Sequence, residues 1–266
     1  MNRMRDQVVL VTGAAKGMGR SHCVRLAEEG ASVIAVDLEA SADDLAGTVR
    51  EVDWVGGRCV TACADIRDFE SLAAAVGHGV DELGRLDAVV ANAGVYPEAR
   101  PSWEIDEDDW RRVVDINLTG AWHTVKATVP LMQPGGSLVI IGSTNGLKGM
   151  AGTAHYCASK HGVVGLTQTL ANELGPNGIR VNAVHPGSVG TSMILNERVF
   201  AKLRPDLAAP VEDDAAVALA ARNLLGVPWV SPVDVSNAVL FLLSAEARYV
   251  TGTNVVVDAG LVAKVS

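Results

Sequence analysis

The sequence predicts an α/β fold, a parallel sheet covered by helices on both faces. Three observations carry this. Short apolar runs alternate with helix-patterned stretches along almost the whole chain. A glycine-rich turn joins the first apolar run to the first helical one, the context in which such a turn binds phosphate. No repeat, low-complexity tract or linker divides the 266 residues, so residues 1–266 read as one domain.

Val8–Thr12 is the first strand, and Gly13-Ala-Ala-Lys16-Gly17-Met18-Gly19 follows it directly. Glycines let a backbone approach a pyrophosphate closely, and the helix beyond them offers unpaired N–H groups. An ordinary strand-to-helix turn is the alternative reading. The second apolar run, 31–37, ends in Asp37, about 20 residues past the glycine turn, where a carboxylate can bond both adenosine ribose hydroxyls. The same charge repels a 2′-phosphate and favours NAD over NADP. Lys16 points the other way, but Leu38-Glu39 rather than an arginine follows Asp37.

The alternation continues with a helix over 45–54, a strand over 58–64 ending at Asp65-Ile66, and a helix over 69–83. A strand over 86–91 leads to Asn92-Ala93-Gly94, an amide and two small residues suited to close approach of a cofactor ring. Residues 105–131 read as one long helix with Asn117 in its middle, an awkward place for an amide unless it bonds something. A strand over 136–142 delivers Ser143, and the spacing of Val163, Val164, Leu166, Leu170 and Leu174 predicts a buried helix. A strand over 179–184 ends at His185-Pro186-Gly187. Between Met193 and Trp229 the pattern loosens into a lid over the site. A helix with a serine cap and a first-turn proline begins at Ser231, and 254–258 is the last strand. Gly13, Asp37, Asp65, Asn92, Ser143 and Pro186 all fall at the carboxyl ends of strands, the edge where such sheets bind ligands.

Composition excludes several classes. The chain has 31 acidic and 22 basic residues, a formal net charge of −9, which leaves no basic stripe to track nucleic acid. No apolar run reaches the ~18 residues of a membrane span, and the first one is too short for a signal segment. The four cysteines read as buried thiols, their spacing matching no zinc or redox motif. No histidine cluster has ligand spacing, so no metal is expected. These features predict a cytoplasmic protein.

Tyr156 and Lys160, four residues apart on the predicted buried helix, stand one turn above another, with about 5–6 Å between Cβ atoms. A free phenol loses its proton near pH ~10; bringing that to about 7 takes roughly 4 kcal/mol of phenolate stabilisation. A cation one turn away in a cleft can supply much of it, and an oxidised nicotinamide ring the remainder. A packed tyrosine beside a solvent-reaching lysine has the same spacing.

Taken together, Thr12-Gly13-x3-Gly17-x-Gly19, Asn92-Ala93-Gly94, Asn117, Ser143, Tyr156-x3-Lys160 and Pro186-Gly187-x-Val189-x-Thr191-x-Met193 resemble the classical short-chain dehydrogenase/reductase family over essentially the whole chain. The resemblance implies a seven-stranded Rossmann sheet and a homotetramer. It implies that Tyr156 is the general acid/base, that Ser143 bonds the substrate oxygen, and that Lys160 holds the nicotinamide ribose and lowers the tyrosine. It implies that Asn117 positions a relay water, and that Thr191 meets the cofactor carboxamide. Further cofactor contacts are expected at Gly13, Lys16, Gly17, Met18, Gly19, Asp37, Leu38, Asp65, Ile66, Asn92, Ala93, Gly94, Pro186 and Val189. A narrower likeness lies in the segments 145–152, 160–166, Arg204-Pro205-Asp206, Pro228-Trp229-Val230 and 247–252. These resemble the carveol dehydrogenase-like, mycofactocin-associated branch, which oxidises secondary alcohols, often cyclic terpenoids. Members of that branch usually carry an insertion after the second strand, where this chain passes from Asp37 straight to the next helix.

Val95, Tyr96, Asn145, Leu147, Met150, His155, Met193 and Trp229 are expected to line a mostly apolar pocket, with Ser143 and Tyr156 at its reacting end. This predicts NAD-dependent interconversion of a neutral, hydrophobic secondary alcohol and its ketone. A 3-oxoacyl-thioester reductase using NADPH and a non-catalytic dinucleotide-binding regulator are the competing readings.

Overall fold

The central apolar runs become strands that bury side chains on both faces, while the edge strands are only partly buried. The computed structural model describes residues 2–265. Its strands are β1 (Val8–Thr12), β2 (Ser32–Asp37), β3 (Arg58–Cys63), β4 (Ala88–Ala91), β5 (Ser137–Ile141), β6 (Arg180–Pro186) and β7 (Asn254–Val257). They form one seven-stranded parallel sheet in the order β3-β2-β1-β4-β5-β6-β7. The helices are α1 (Gly17–Ala27), α2 (Ala42–Trp54), α3 (Phe69–Leu83), α4 (Glu107–Val114) and α5 (Gly120–Thr128). They continue with α6 (Ala154–Leu174), α7 (Glu197–Leu203), α8 (Glu212–Ala220) and α9 (Pro232–Leu243).

Successive strand residues point to opposite faces, and the core divides accordingly. Val9, Val11, Val33, Ala35, Val139 and Ile141 pack with Leu26 of α1, Leu45 of α2 and Val239 of α9. Val8, Leu10, Ile34, Val36, Leu138 and Ile140 pack with Leu72 of α3, Val125 of α5 and Val163 of α6. Burying one such aliphatic side chain contributes about 1.5–3 kcal/mol, so a one-residue slip in any central strand exchanges its two packed faces. The strand order reverses between β1 and β4, which opens a crevice at the carboxyl edge there.

Local chemistry sets the element ends. Asp68 caps α3 by accepting from the N–H groups of Glu70 and Ser71. Ser231 precedes Pro232 at the start of α9, and Asp234 reaches back to the Ser231 N–H at 2.8 Å, a reciprocal cap.

The structure corrects three expectations. The stretch 105–131 is interrupted: α4 passes into a π-turn, Asp115–Thr119, before α5. The extra residue in that turn lets the Asn117 amide leave the helix surface and bond the Val95 backbone. Cys63 is exposed, because β3 lies at the sheet edge, whereas Cys23 and Cys157 are buried. The stretch 193–229 contains two packed helices, α7 and α8, braced where Arg204 meets Asp206 and Asp214. No helix among the described residues is long and apolar enough to cross a membrane.

His22 on α1 is fully buried against α9, its Nδ1 2.8 Å from the Ser236 hydroxyl. Burial pushes it down to about 3. The unfolded chain therefore takes up a proton that the folded chain refuses, and stability falls as pH drops below the ordinary histidine value. The slope approaches roughly 1.4 kcal/mol per pH unit for one such group. Thermal melts between about pH 6.5 and about pH 5 are expected to show this loss, and the variant His22→Asn a shallower slope; an unchanged slope in the variant contradicts the assignment.

Candidate active site

Two cavities open along the carboxyl edge of the sheet. The larger, about 560 Å³, runs over the glycine turn and past Asp37, Asp65 and Asn92. Gly13 and Gly17 have φ of +66° and +57°, a region that side chains rarely adopt. A Cβ on Gly19 would overlap the Gly13 carbonyl, so α1 can pack against the turn only with glycine there. The helix starts at Gly17 after an extended Lys16, which leaves its first-turn N–H groups without intrahelical partners. Asp37 is held at the end of β2: one carboxylate oxygen accepts the Ala15 N–H and the other the Leu38 N–H, both at 2.8 Å. Lys16 is drawn towards Asp44 on α2, at 3.3 Å in a solvent-exposed pair of little energetic weight.

Asn92 braces the crevice. Its Nδ2 donates to the carbonyls of Thr12 and Gly13, while the Thr12 hydroxyl accepts the N–H groups of Asn92 and Ala93. Its Oδ1 is buried with no partner among the described residues. A Cβ on Gly94 would lie 3.1 Å from Asn117 Oδ1 and 3.7 Å from Lys160 Nζ. A backbone stripped of side chains, fixed carboxylates and an unpartnered amide oxygen fit a dinucleotide. Lys16, Met18, Leu38, Ile66, Ala93, Gly94 and Thr191 also line this cavity, as expected.

The second cavity, about 380 Å³, holds the Ser143–Tyr156 end. Met18, Tyr96, Thr191 and Met193 border both spaces. Pro186, Val189, Asn145 and Met150 line the second, as does Ser188. Pro186 and Val189, expected at the cofactor, line the second cavity and not the larger one, and Lys160 lines neither; four residues expected in the substrate pocket are also placed differently. Val95 lines the larger cavity, its backbone held to the π-turn by Asn117: Val95 N–H to Oδ1 at 2.8 Å and Nδ2 to Val95 O at 3.0 Å. His155 turns to the α4 side of its helix, fully buried, its ring stacked 6.5 Å from Trp110. Leu147 lies outside both linings, and Trp229 packs beside Gly190. The lining is also less uniformly apolar than the sequence suggests, since Lys148, Lys202 and Arg222 reach it.

Tyr156 and Lys160 project from α6, at 8% and 4% exposure, so both meet little water. The Lys160 ammonium donates to the Ile141 carbonyl at the end of β5, at 2.9 Å, and sits 5.9 Å from the Tyr156 ring centroid. Burial pushes the phenol up to about 12, and a hydrogen bond with Ser143 offsets only part of this. Burial likewise brings Lys160 down to about 8. Acidification of Tyr156 by Lys160, expected from spacing, is therefore outweighed in the chain itself: the ammonium is turned to a carbonyl, and desolvation disfavours the phenolate. Tyr96 closes one side, edge-on to Tyr156 at 5.0 Å.

Spacing alone does not reveal the support behind Ser143. His185, fully buried at the end of β6, places Nδ1 2.9 Å from the Ser143 carbonyl oxygen and 3.2 Å from the Ser143 N, and Nε2 2.8 Å from Asn254 Oδ1 on β7. Nδ1 thus faces both backbone groups of Ser143, donating to its carbonyl in one tautomer and accepting its N–H in the other. Burial keeps the ring below its ordinary value, hence neutral. Gly142 has no Cβ because the ring occupies that space. The sequence shows the histidine before Pro186-Gly187, but its partners come from strands far apart in the chain. Among the described residues no group of histidine, cysteine and carboxylate side chains could hold a metal.

A family model described as enoyl-(acyl carrier protein) reductase matches residues 13–262. The (−)-trans-carveol dehydrogenase of Rhodococcus erythropolis is 48% identical, covering 99% of this chain and 100% of its own length. The trans-4-hydroxycyclohexanecarboxylate dehydrogenase of Sinomonas cyclohexanicum is 40% identical over 97% of this chain and 94% of its own. Among solved structures, a carveol dehydrogenase from Mycobacterium avium in complex with NAD superposes with a TM-score of 0.96 at 49% identity, covering 99% of this chain and 100% of that one. Likeness of this extent, over a sheet whose crevice is built for a dinucleotide, places the protein in the short-chain dehydrogenase/reductase family.

Proposed function

We propose that this protein is an NAD-dependent dehydrogenase that interconverts a cyclic, largely hydrophobic secondary alcohol and its ketone. The observation that carries this is Ser143 and Tyr156 together in the apolar pocket that adjoins the glycine-lined cavity, with Lys160 buried behind them on α6. Relatives named for carveol and for trans-4-hydroxycyclohexanecarboxylate support a ring substrate, and Met150, Met193, Ile194 and Leu203 in the lining support a hydrophobic one.

NAD, when bound, supplies the hydride acceptor and a positive charge beside the phenol. Gly13, Gly17 and Gly19 would admit its pyrophosphate, Asp37 its adenosine ribose, and Thr191 its carboxamide. The Ser143 hydroxyl, held in place by His185 behind it, bonds the carbinol oxygen, and Tyr156 takes the carbinol proton. Lys160 presents its charge to the nicotinamide ribose from the Ile141 carbonyl. The Asn117 side chain is engaged by Val95, so it fixes the wall beside Lys160; we place the relay water against this turn. Positioned proton transfer contributes about 10²–10⁴-fold, with the rest coming from alignment of the reacting carbons.

The protein is further proposed to be cytoplasmic, in keeping with its free cysteines, and to assemble as a homotetramer. Trp103 is 85% exposed, and Trp110 and Trp122 on α4 and α5 are also exposed, an apolar surface that a second copy can cover. Light scattering on the purified protein tests assembly; a monomer at micromolar concentration contradicts it.

The variant Tyr156→Phe is expected to lose about 10²-fold or more in turnover of a cyclic alcohol while binding NAD normally by fluorescence titration. Turnover near the wild-type rate in that variant would retire the mechanism. Because burial holds the free phenol protonated, kcat/KM for oxidation should climb from about pH 7 to about pH 10, and that for ketone reduction should fall. Replacing Asp37 with serine removes the charge that repels a 2′-phosphate, so the ratio of NADP to NAD efficiency should rise by about tenfold or more. A wild-type preference for NADPH would favour the thioester-reductase reading instead.

A further inference from the structure

Tyr96, which borders both cavities, is held from three directions. Its backbone follows Val95, which the π-turn fixes through both Asn117 bonds. Lid helix α7 reaches it twice: Lys202 Nζ donates to its hydroxyl at 3.0 Å, and Arg198 donates to its carbonyl at 3.4 Å. The two cations are four residues apart, so one face of α7 presents both. The Tyr96 hydroxyl in turn points at Met150 Sδ, 3.8 Å away. The Lys202 ammonium is 5.3 Å from the ring centroid but 3.0 Å from the hydroxyl, so it meets the end of the side chain rather than the ring face.

The ring fixed in this way meets Tyr156. Their centroids are 5.0 Å apart and their planes 78° apart, the edge-to-face arrangement that aromatic pairs prefer. Tyr96 is thus a ring that both the phenol and α7 touch. A ring ordered against a phenol keeps water from it, and burial is what holds this phenol protonated. Other ionisable groups surround the same phenol: Lys160 and Cys157 share its helix, His185 stands behind Ser143, and Lys148 lines the same pocket. Tyr96, with Lys202 and Arg198 fastened to it, is what α7 adds to them.

We propose that Tyr96 is a positioning residue for the dehydrogenation, a latch through which the seating of α7 by Lys202 and Arg198 shields Tyr156 from water. Closure of the lid then governs when the phenol can serve as a base. This inference rests on the alcohol-dehydrogenase reading above and adds a control on its proton-transfer step.

Two readouts test it. The first is NMR of ζ-carbon-labelled tyrosine in the cofactor-free protein, with the Tyr156 signal identified by its loss in Tyr156→Phe. Its ionisation midpoint, about 12 in the wild type, should fall by about one pH unit in Tyr96→Leu, which removes the covering ring. The second is the pH dependence of kcat/KM for cyclohexanol oxidation with NAD, whose midpoint should fall in the same variant. Lys202→Met separates a latch from a charge. Loss of a latch admits water and lowers both midpoints, by about half a pH unit or more, whereas loss of a nearby cation raises them. Lys202→Arg should keep the wild-type midpoints, and Lys126→Met, on α5 and in neither cavity lining, should leave them unchanged. Midpoints that rise in Lys202→Met, or that stay fixed while kcat falls, overturn the proposal, as does an unmoved midpoint in Tyr96→Leu. A wild type that oxidises no cyclic alcohol removes the dehydrogenase reading, and the NMR titration then still decides whether α7 shields the phenol.

Discussion

The hydrogen bond from the Lys160 ammonium to the Ile141 carbonyl ties the helix that carries Tyr156 to the strand that delivers Ser143. It crosses from α6 to the end of β5 at a point almost closed to water, where a lost partner would leave a desolvated cation. Everything that meets at the pocket is referred to that junction. Gly146 has no Cβ, since one would press on the Lys160 carbonyl, so the turn after Ser143 can lie directly on α6. Gly142 makes the corresponding room for His185 on the other side. The Ser143 hydroxyl is thus set between a helix and a neighbouring strand.

Burial has two consequences here that pull in opposite directions. It makes each polar contact at the junction stronger, because no water competes. It also disfavours the very charges the chemistry uses, raising Tyr156 and lowering Lys160. A phenol in this state is a proton donor by default and becomes a base only when positive charge arrives beside it. The enzyme's own residues therefore hold the acid form, and the basic form is coupled to a cationic partner in the adjoining crevice. In the proposed mechanism, that coupling would link proton transfer at Tyr156 to cofactor binding through electrostatics.

The crevice follows from sheet order. Reversal of the strand sequence between β1 and β4 separates the helices that follow them, and Thr12 and Asn92 lace the two strand ends across the gap. The π-turn at Asn117 then sends an amide to the Val95 backbone, which fixes the wall next to Gly94. Both devices satisfy backbone groups at the floor of a cavity, where unpaired ones would be costly.

What could be read from the chain alone is what local pattern and short spacing encode. The apolar runs marked the central strands, because a strand buried on both faces has to be apolar throughout, and the partly buried edge strands were marked by their place in the alternation. The glycine turn, Asp37, Ser143 and the Tyr156–Lys160 pair were legible because each lies within a few residues of a strand or helix end. What local pattern does not hold was decided in three dimensions. The interruption of 105–131 depends on an amide finding Val95 from 22 residues away. The turning of His155 towards Trp110, the clamp of His185 and Asn254 on Ser143, and the delivery of Lys202 to Tyr96 likewise join residues far apart in the chain. The phenol's protonation state belongs to the same group, since desolvation is a property of the surroundings: spacing gives a tyrosine its neighbour, and only packing sets how much water remains between them.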